Sequence, residues 1–158
     1  MGRSIQVMRI RMISYFPDLN VWLALADSRN AHRKQTWNWF RGLPPDASIH
    51  FCRYTQIGLL RHLSNEAVMG SEMLTIQQAW KAYDGWTADA RIALHQEPGG
   101  LDLLFRDMTM AFARQRATKM VGDCYLLAYA GACGSTLVTF DKGLLELARK
   151  RGYAISPA

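Results

Sequence analysis

Residues 13–18 read ISYFPD and residues 136–141 read TLVTFD, and the fold class turns on these two stretches. Each is a run of mainly apolar, strand-forming residues that ends on an aspartate, Asp18 in one and Asp141 in the other. Each runs on into a segment that reads as helix. In open α/β sheets, strand ends that lead into helices line the crevice where ligands bind. Two carboxylates carried to such ends from distant parts of the chain are expected to converge. Converging carboxylates repel one another, so they need a shared proton or a cation.

Working outward, a first strand is predicted over about Arg11 to Pro17, followed by a short helix from Asn20 to Ala26 with Val21, Trp22 and Leu25 at helical spacing. Asn30 is placed to cap a second helix that ends at Gly42 and the Pro44-Pro45 pair. Ser48 to Phe51 alternates as a second strand. Tyr54 to Leu63 is read as a helix with Ile57, Leu59, Leu60 and Leu63 on its apolar side, and Ser64 to Ser71 as a polar connection. A helix over Thr75 to Asp89 carries Ile76, Ala79, Trp80, Tyr83 and Trp86 in its stripe. Arg91 to His95 is a short strand and Leu101 to Ala117 a helix burying Leu104, Phe105, Met108 and Phe112. Gly122 opens an apolar helix through Cys133. Ser135 to Phe140, Lys142 to Arg151 and Tyr153 to Ser156 complete the pattern as strand, helix and edge strand. Strands alternating with helices give α/β units and a single domain with a mostly parallel sheet covered on both sides.

The bulk properties narrow the function classes. A chain of 158 residues, 49% hydrophobic and 20% charged, fits one globular domain. No apolar run approaches the roughly 20 residues that span a bilayer, and the N-terminus lacks a secretory apolar region and cleavage pattern. No membrane association and a cytoplasmic location are therefore expected. Residues 1–11 are read as an N-terminal extension or an alternative start, Met8 and Met12 being possible starts, with the domain proper over residues 12–158. Cys52, Cys124 and Cys133 are odd in number and lie in apolar contexts, which reads as reduced thiols. The histidines are scattered and no CxxC occurs, so a structural zinc is not expected. The net charge of +6 points toward a polyanionic partner, nucleic acid first.

Asp123 joins the two strand-end aspartates. It falls in the first turn of the helix predicted from Gly122, with Leu126, Leu127 and Ala130 three, four and seven residues on, so it lies at the sheet-facing edge. Each aspartate also has a plainer reading: Asp18 as a helix cap, Asp123 as a carboxylate favoured by a helix dipole, Asp141 as a turn residue. Taken together, three carboxylates at one sheet edge favour a metal site. Oxygen donors select a hard cation, Mg²⁺ with Mn²⁺ as a possible substitute, and such a site suits phosphodiester hydrolysis. Thr139, two residues before Asp141, is placed on the same face by strand alternation, where its hydroxyl can orient a ligand. Arg53 and Arg61 are candidate phosphate contacts; Lys142 reads as a solvated residue or an ion-pair partner of an aspartate. Trp37, Trp80 and Trp86 read as core, Trp39 as surface, and His32 as a cap or surface residue.

PDLNVWLALA (residues 17–26) with His32, CRYTQIGLLR (52–61), GDCYLLAYA (122–130) and LVTFDKGL (137–144) together resemble the PIN-domain ribonucleases, and more closely the VapC-type toxins of type II toxin–antitoxin systems. The resemblance runs in order over nearly the whole chain from Met12. It implies a small PIN-like α/β/α sandwich with a central, mostly parallel sheet. It also implies a Mg²⁺-dependent endoribonuclease activity, a cognate antitoxin that covers the site, and a homodimer. Carried over by position, Asp18 and Asp123 would hold the principal metal, Asp141 would act on a second metal or through water, and Thr139 and Asn20 would be the polar companions of the aspartates, Asn20 in a substrate-binding role. The chain departs from the family at Thr55-Gln56-Ile57-Gly58, where many members have a glutamate; Gln56 can accept a hydrogen bond but carries no charge, which puts two-metal catalysis in doubt.

Two other readings remain. A catalytically weak PIN-like module that binds RNA or protein is motivated by Gln56. A receiver-type or aspartyl-phosphatase protein is weakened because Asp18-Leu19-Asn20 has no second carboxylate and no glycine-rich phosphate loop is present.

Overall fold

Strands β1 (Ser14–Pro17), β2 (Ser48–Phe51), β3 (Ile92–Leu94), β4 (Thr136–Val138) and β5 (Ile155–Ser156) form one sheet in the order β3-β2-β1-β4-β5 in the computed structural model, which describes residues 13–116, 118–151 and 155–156. Every pairing is parallel: Tyr15 lies opposite Ile49 on one side and Thr136 on the other, and Ile49 in turn opposite Ile92. Successive strand residues face opposite layers. Ile49 and Phe51 pack with Trp22, whose ring stacks on Phe51 at 3.9 Å, whereas His50 between them stacks on Phe16 at 5.2 Å. Strands buried on both faces explain why these stretches are apolar throughout.

The helices are α1 (Leu19–Ala26), α2 (Arg33–Gly42), α3 (Arg53–Leu63), α4 (Glu66–Met69), α5 (Ile76–Thr87), α6 (Leu101–Met110), α7 (Thr118–Cys133) and α8 (Lys142–Arg151). Trp22, Leu25, Phe40, Leu59, Leu63, Ala79 and Tyr83 from α1, α2, α3 and α5 form the core on one side of the sheet. Leu101, Met108, Leu126, Leu127, Tyr129, Leu144 and Ala148 from α6, α7 and α8 form it on the other. The chain steps outward from β1 through β2 to β3, then returns so that β4 lies on the opposite flank of β1. The C-terminal ends of β1 and β4 thus frame the point where strand order reverses, the expected place for a ligand crevice.

Several predicted boundaries move, each for a physical reason. The stretch 64–71 contains α4 and a 3-10 turn, and Met69 is buried there. Asn30 does not cap α2: its side chain accepts from the His32 amide in a turn, and the helix opens at Arg33. On α3 the buried side is Thr55, Gln56, Leu59 and Leu63, with Ile57 48% exposed; a run of four apolar or small residues hid the true phase. The α6 helix stops at Met110, short of Ala117, which is outside the described residues. The N-terminal extension, Met8 and Met12 also fall outside them, and of the last predicted strand the described part is Ile155–Ser156.

Helix α7 opens at Thr118 and not at Gly122. Gly122 reads as a helix start, yet its role is to make room: a Cβ there would sit 2.6 Å from the Tyr54 hydroxyl. Two of the tryptophans, Trp80 and Trp39, depart from expectation, while Trp37 and Trp86 pack against the core as expected. Trp80 is 41% exposed, while Trp39 packs edge-on against Tyr15 at 5.9 Å; Trp37 and Trp86 pack together beside Phe40. Cys52 and Cys124 are buried thiols and Cys133 is half-buried; all three are free. No helix among the described residues is long and apolar enough to cross a membrane.

Candidate functional site

The end of β1 is pinned to the end of β4 by the Asp18 amide, which donates to the Val138 carbonyl at 2.8 Å. Asp18 then caps α1, its Oδ1 accepting from the Leu19 amide at 2.6 Å. Its Oδ2 accepts from the Thr139 hydroxyl at 2.8 Å and from Asn20 Nδ2 at 3.1 Å. The same Asn20 Nδ2 reaches Thr139 Oγ1 at 3.2 Å, and Asn20 Oδ1 accepts from the Phe140 amide at 3.3 Å. Thr139 is fully buried and accepts in addition from the Asp141 amide at 3.1 Å. These bonds lock the corner after β1 to the corner after β4. Asn20, expected to contact substrate, spends its amide on this network, although it also lines the cavity beyond.

Asp141 caps α8, with Oδ1 accepting from the Leu144 amide at 3.0 Å. Its Oδ2 accepts from Lys119 Nζ at 2.5 Å. Asp18 is thus the helix cap of its plainer reading, and Asp141, read more plainly as a turn residue, caps a helix as well. Capping does not compete with convergence, because a cap at the C-terminal edge of a parallel sheet stands in the crevice. Asp123 differs. It lies in the second turn of α7, beyond the reach of a helix N-terminal dipole. Among the described residues no donor is hydrogen-bonded to its carboxylate.

All three aspartates line one cavity of about 350 Å³, together with Asn20, Tyr54, His62 and Lys119. Their electrostatics show the crowding. Burial pushes the Asp18 carboxyl above its ordinary range, the Thr139 and Leu19 hydrogen bonds oppose this, and the charge of Asp141 adds to it. Burial likewise raises Asp123, with Lys119 opposing and the charges of Asp141 and Asp18 adding. Asp141 is lowered, chiefly by its hydrogen bond from Lys119, and Lys119 is raised by the same bond. Among the described residues, no three Asp, Glu, His or Cys side chains are gathered tightly enough to hold an ion directly. The donor set is nevertheless all oxygen, and Asp123 has a carboxylate without a hydrogen-bond partner. Two carboxylates, Asp18 and Asp123, with water in the remaining positions form a set that suits Mg²⁺.

The helix α3 contributes a wall without a carboxylate. It contains no acidic residue, and its members at the cavity are Tyr54 and His62, whose Nδ1 donates to the Gly58 carbonyl at 2.8 Å. Gly58 between them faces Leu19. Gln56 is not among the cavity residues: it is buried, its Oε1 accepts from Arg53, and it also bonds the Tyr83 hydroxyl. Arg53 lies in a different groove with His95 and Glu97, while Arg61 is exposed on α3. Lys142 is exposed, and the ion-pair partner of Asp141 is Lys119 instead. His32 makes no side-chain cap; its ring stacks on Phe140 at 4.2 Å, next to Asp141. From there α2 runs along a groove lined by Arg33, Lys34, Trp37 and Arg41 with no acidic residue, the Arg41 guanidinium lying 5.2 Å from the Trp37 ring.

Lys119, Tyr54 and His62 escaped the sequence reading. Lys119 stands four residues before Asp123, a spacing that puts two residues on one helix face. Starting the helix at Gly122 left the lysine outside it and hid that relation.

The sequence profile of the PIN domain matches residues 15–150 of the chain. Ribonuclease VapC41 of Mycobacterium tuberculosis is 41% identical over 133 residues, which are 82% of this chain and 90% of that protein. Among solved structures, VapBC-1 from nontypeable Haemophilus influenzae is similar with a TM-score of 0.68 at 14% identity, covering 92% of this chain and 98% of that one. Mycobacterium tuberculosis VapC20, a sarcin–ricin loop cleaving toxin, follows with a TM-score of 0.64 at 13% identity, over 91% and 99%. At these identities the structural likeness speaks to the fold.

Proposed function

The chain belongs to the PIN-domain family, and from that premise we propose that it is a metal-dependent endoribonuclease, the toxin of a toxin–antitoxin pair. The observation that carries this reading is the meeting of Asp18, Asp123 and Asp141 in one cavity at the point where strand order reverses. The ribonuclease relative at 41% identity supports RNA as the substrate.

Asp18 and Asp123 hold the divalent ion, Mg²⁺ with Mn²⁺ as a substitute. Bound there, it supplies Lewis-acid polarisation of the phosphodiester and a water acidic enough to attack at neutral pH. Thr139 and Asn20 fix the Asp18 carboxylate so that one rotamer faces the cavity. Asp141, paired with Lys119, keeps a third carboxylate beside the reacting centre. Arg61 and the Arg33, Lys34 and Arg41 groove take the phosphates of the RNA on either side of the cut, as backbone contacts that carry no sequence information. Gln56 supports α3 through Arg53 and Tyr83 and takes no part at the ion.

The partner is a cognate antitoxin that covers the cavity, a reading supported by the toxin–antitoxin complexes among the structural relatives. Leu103 and Met110, exposed seven residues apart on α6, support a second copy of the chain as a homodimer partner.

Cleavage of RNA by the purified chain tests the reading. Cutting is expected with Mg²⁺ or Mn²⁺, absent in excess chelator, and reduced at least about 100-fold in Asp123→Asn, within the range lost when an electrostatic catalytic group is removed. Cleavage indifferent to both changes overturns it. RNA retained but uncut by wild type and variant alike would make the chain a binding module instead.

A further inference from the structure

We propose that Lys119 is the second cation of this site, its ammonium holding Asp141 so that the cavity takes one divalent ion, at Asp18 and Asp123, and not two. This rests on the metal reading above and adds to it the number of ions and the residue that sets it.

Three carboxylates line the cavity and one ammonium is bonded to Asp141 among them, which leaves two negative charges, the amount a single divalent ion neutralises. A pair of divalent ions 3.5–4 Å apart, as two-metal sites hold them, needs the charge of all three aspartates, one of which Lys119 already neutralises. Among the described residues no other acid lines the cavity to replace it: α3 contributes Tyr54, Gly58 and His62 to that side, and Gln56 is turned toward Arg53 and Tyr83.

Geometry agrees. Asp141 is the aspartate a second ion would use, and its Oδ2 is already held by a cation, Lys119 Nζ, whereas the donors on Asp18 are all neutral. The lysine is held near its partners by the backbone, since it rides on the same face of α7 as Asp123, one turn earlier. Its charge lowers the carboxyls of all three aspartates, so a single side chain offsets part of the repulsion throughout the cavity. A mobile lysine on an open surface would gain little from one carboxylate; three of them facing one ammonium make the placement meaningful.

The test counts ions on the full-length chain by calorimetric titration with Mn²⁺, paired with electron paramagnetic resonance of the bound Mn²⁺. Wild type is expected to bind one ion per chain with the signal of an isolated Mn²⁺. Lys119→Met, which keeps length but removes charge, is expected to bind two, with the exchange-coupled signal of neighbouring ions. Lys119→Arg should restore one. Lys119 is exposed, so neither substitution disturbs the core. Two ions in wild type, or one ion in Lys119→Met, overturns the inference while leaving a metal enzyme in place. Asp123→Asn separates the two levels: a wild type that binds no ion, or binds it as Asp123→Asn does, removes the metal reading itself.

Discussion

The hydroxyl of Thr139 donates to Oδ2 of Asp18 over 2.8 Å, joining the corner after β4 to the corner after β1 across 121 positions of sequence. The same oxygen accepts from the Asp141 amide and from Asn20 Nδ2, so one buried hydroxyl aligns two aspartates and the residue between their corners.

Thr139→Val keeps the shape and removes the hydroxyl, leaving the Asp141 amide without an acceptor and Asn20 Nδ2 with Asp18 alone. A loss of about 1–3 kcal/mol in stability follows from stranding buried polar groups, together with a fall of about tenfold in cleavage as Asp18 loses its orientation. Thr139→Ser should retain most of both. Thermal unfolding beside RNA cleavage for the two variants measures this.

Asp123 is expected to cost the metal-free fold stability. Its carboxyl is raised above the unfolded value, so its contribution is complete below the unfolded carboxylate range near pH 4 and is lost as pH rises through the higher folded value. In chelator at pH 7, Asp123→Asn should therefore melt higher than wild type. The gap should close as pH falls below about 4. Added Mg²⁺ should raise wild type alone. A variant that melts below wild type at neutral pH would contradict the strain assigned to this carboxylate.

Gln56→Glu places a carboxylate on α3, and it should not improve Mn²⁺ affinity or cleavage. The side chain meets Arg53 and Tyr83, not the cavity, so the new carboxylate pairs with Arg53. A gain of more than about threefold in ion affinity, well under 1 kcal/mol, would place residue 56 at the metal after all.

Lys34→Ala and Arg41→Ala on α2 should weaken RNA binding without changing Mn²⁺ binding, because their groove is separate from the aspartate cavity. Each lost phosphate contact should flatten the dependence of log K on log salt by about 0.7, the single-strand value. Filter binding over a salt series distinguishes this from a general loss of fold.

How far the sequence alone reaches is clearest in these residues. Asp18 and Asp141 were legible because mainly apolar runs ending on an acid, then helical spacing, have one common meaning in α/β proteins. Asp123 was legible as a sheet-facing helix residue from Leu126, Leu127 and Ala130. What stayed hidden depends on contacts between distant segments. Gly122 looks like a helix start until Tyr54 is seen against it, and that misreading concealed Lys119. The phase of α3 could not be fixed from Ile57-Gly58-Leu59-Leu60, so Gln56 and Ile57 exchanged inside for outside. Strand order, and with it the position of the crevice, is a property of long-range pairing that no local pattern encodes.

Diffraction from crystals of the chain soaked in Mn²⁺, with anomalous maps to locate the ion, decides whether Asp18 and Asp123 hold the metal. One strong peak is expected in the aspartate cavity, with carboxylate oxygens of Asp18 and Asp123 at roughly 2.1–2.2 Å, near the octahedral distances of Mg²⁺. No peak in that cavity at saturating Mn²⁺, or one whose protein ligands exclude both Asp18 and Asp123, would contradict it.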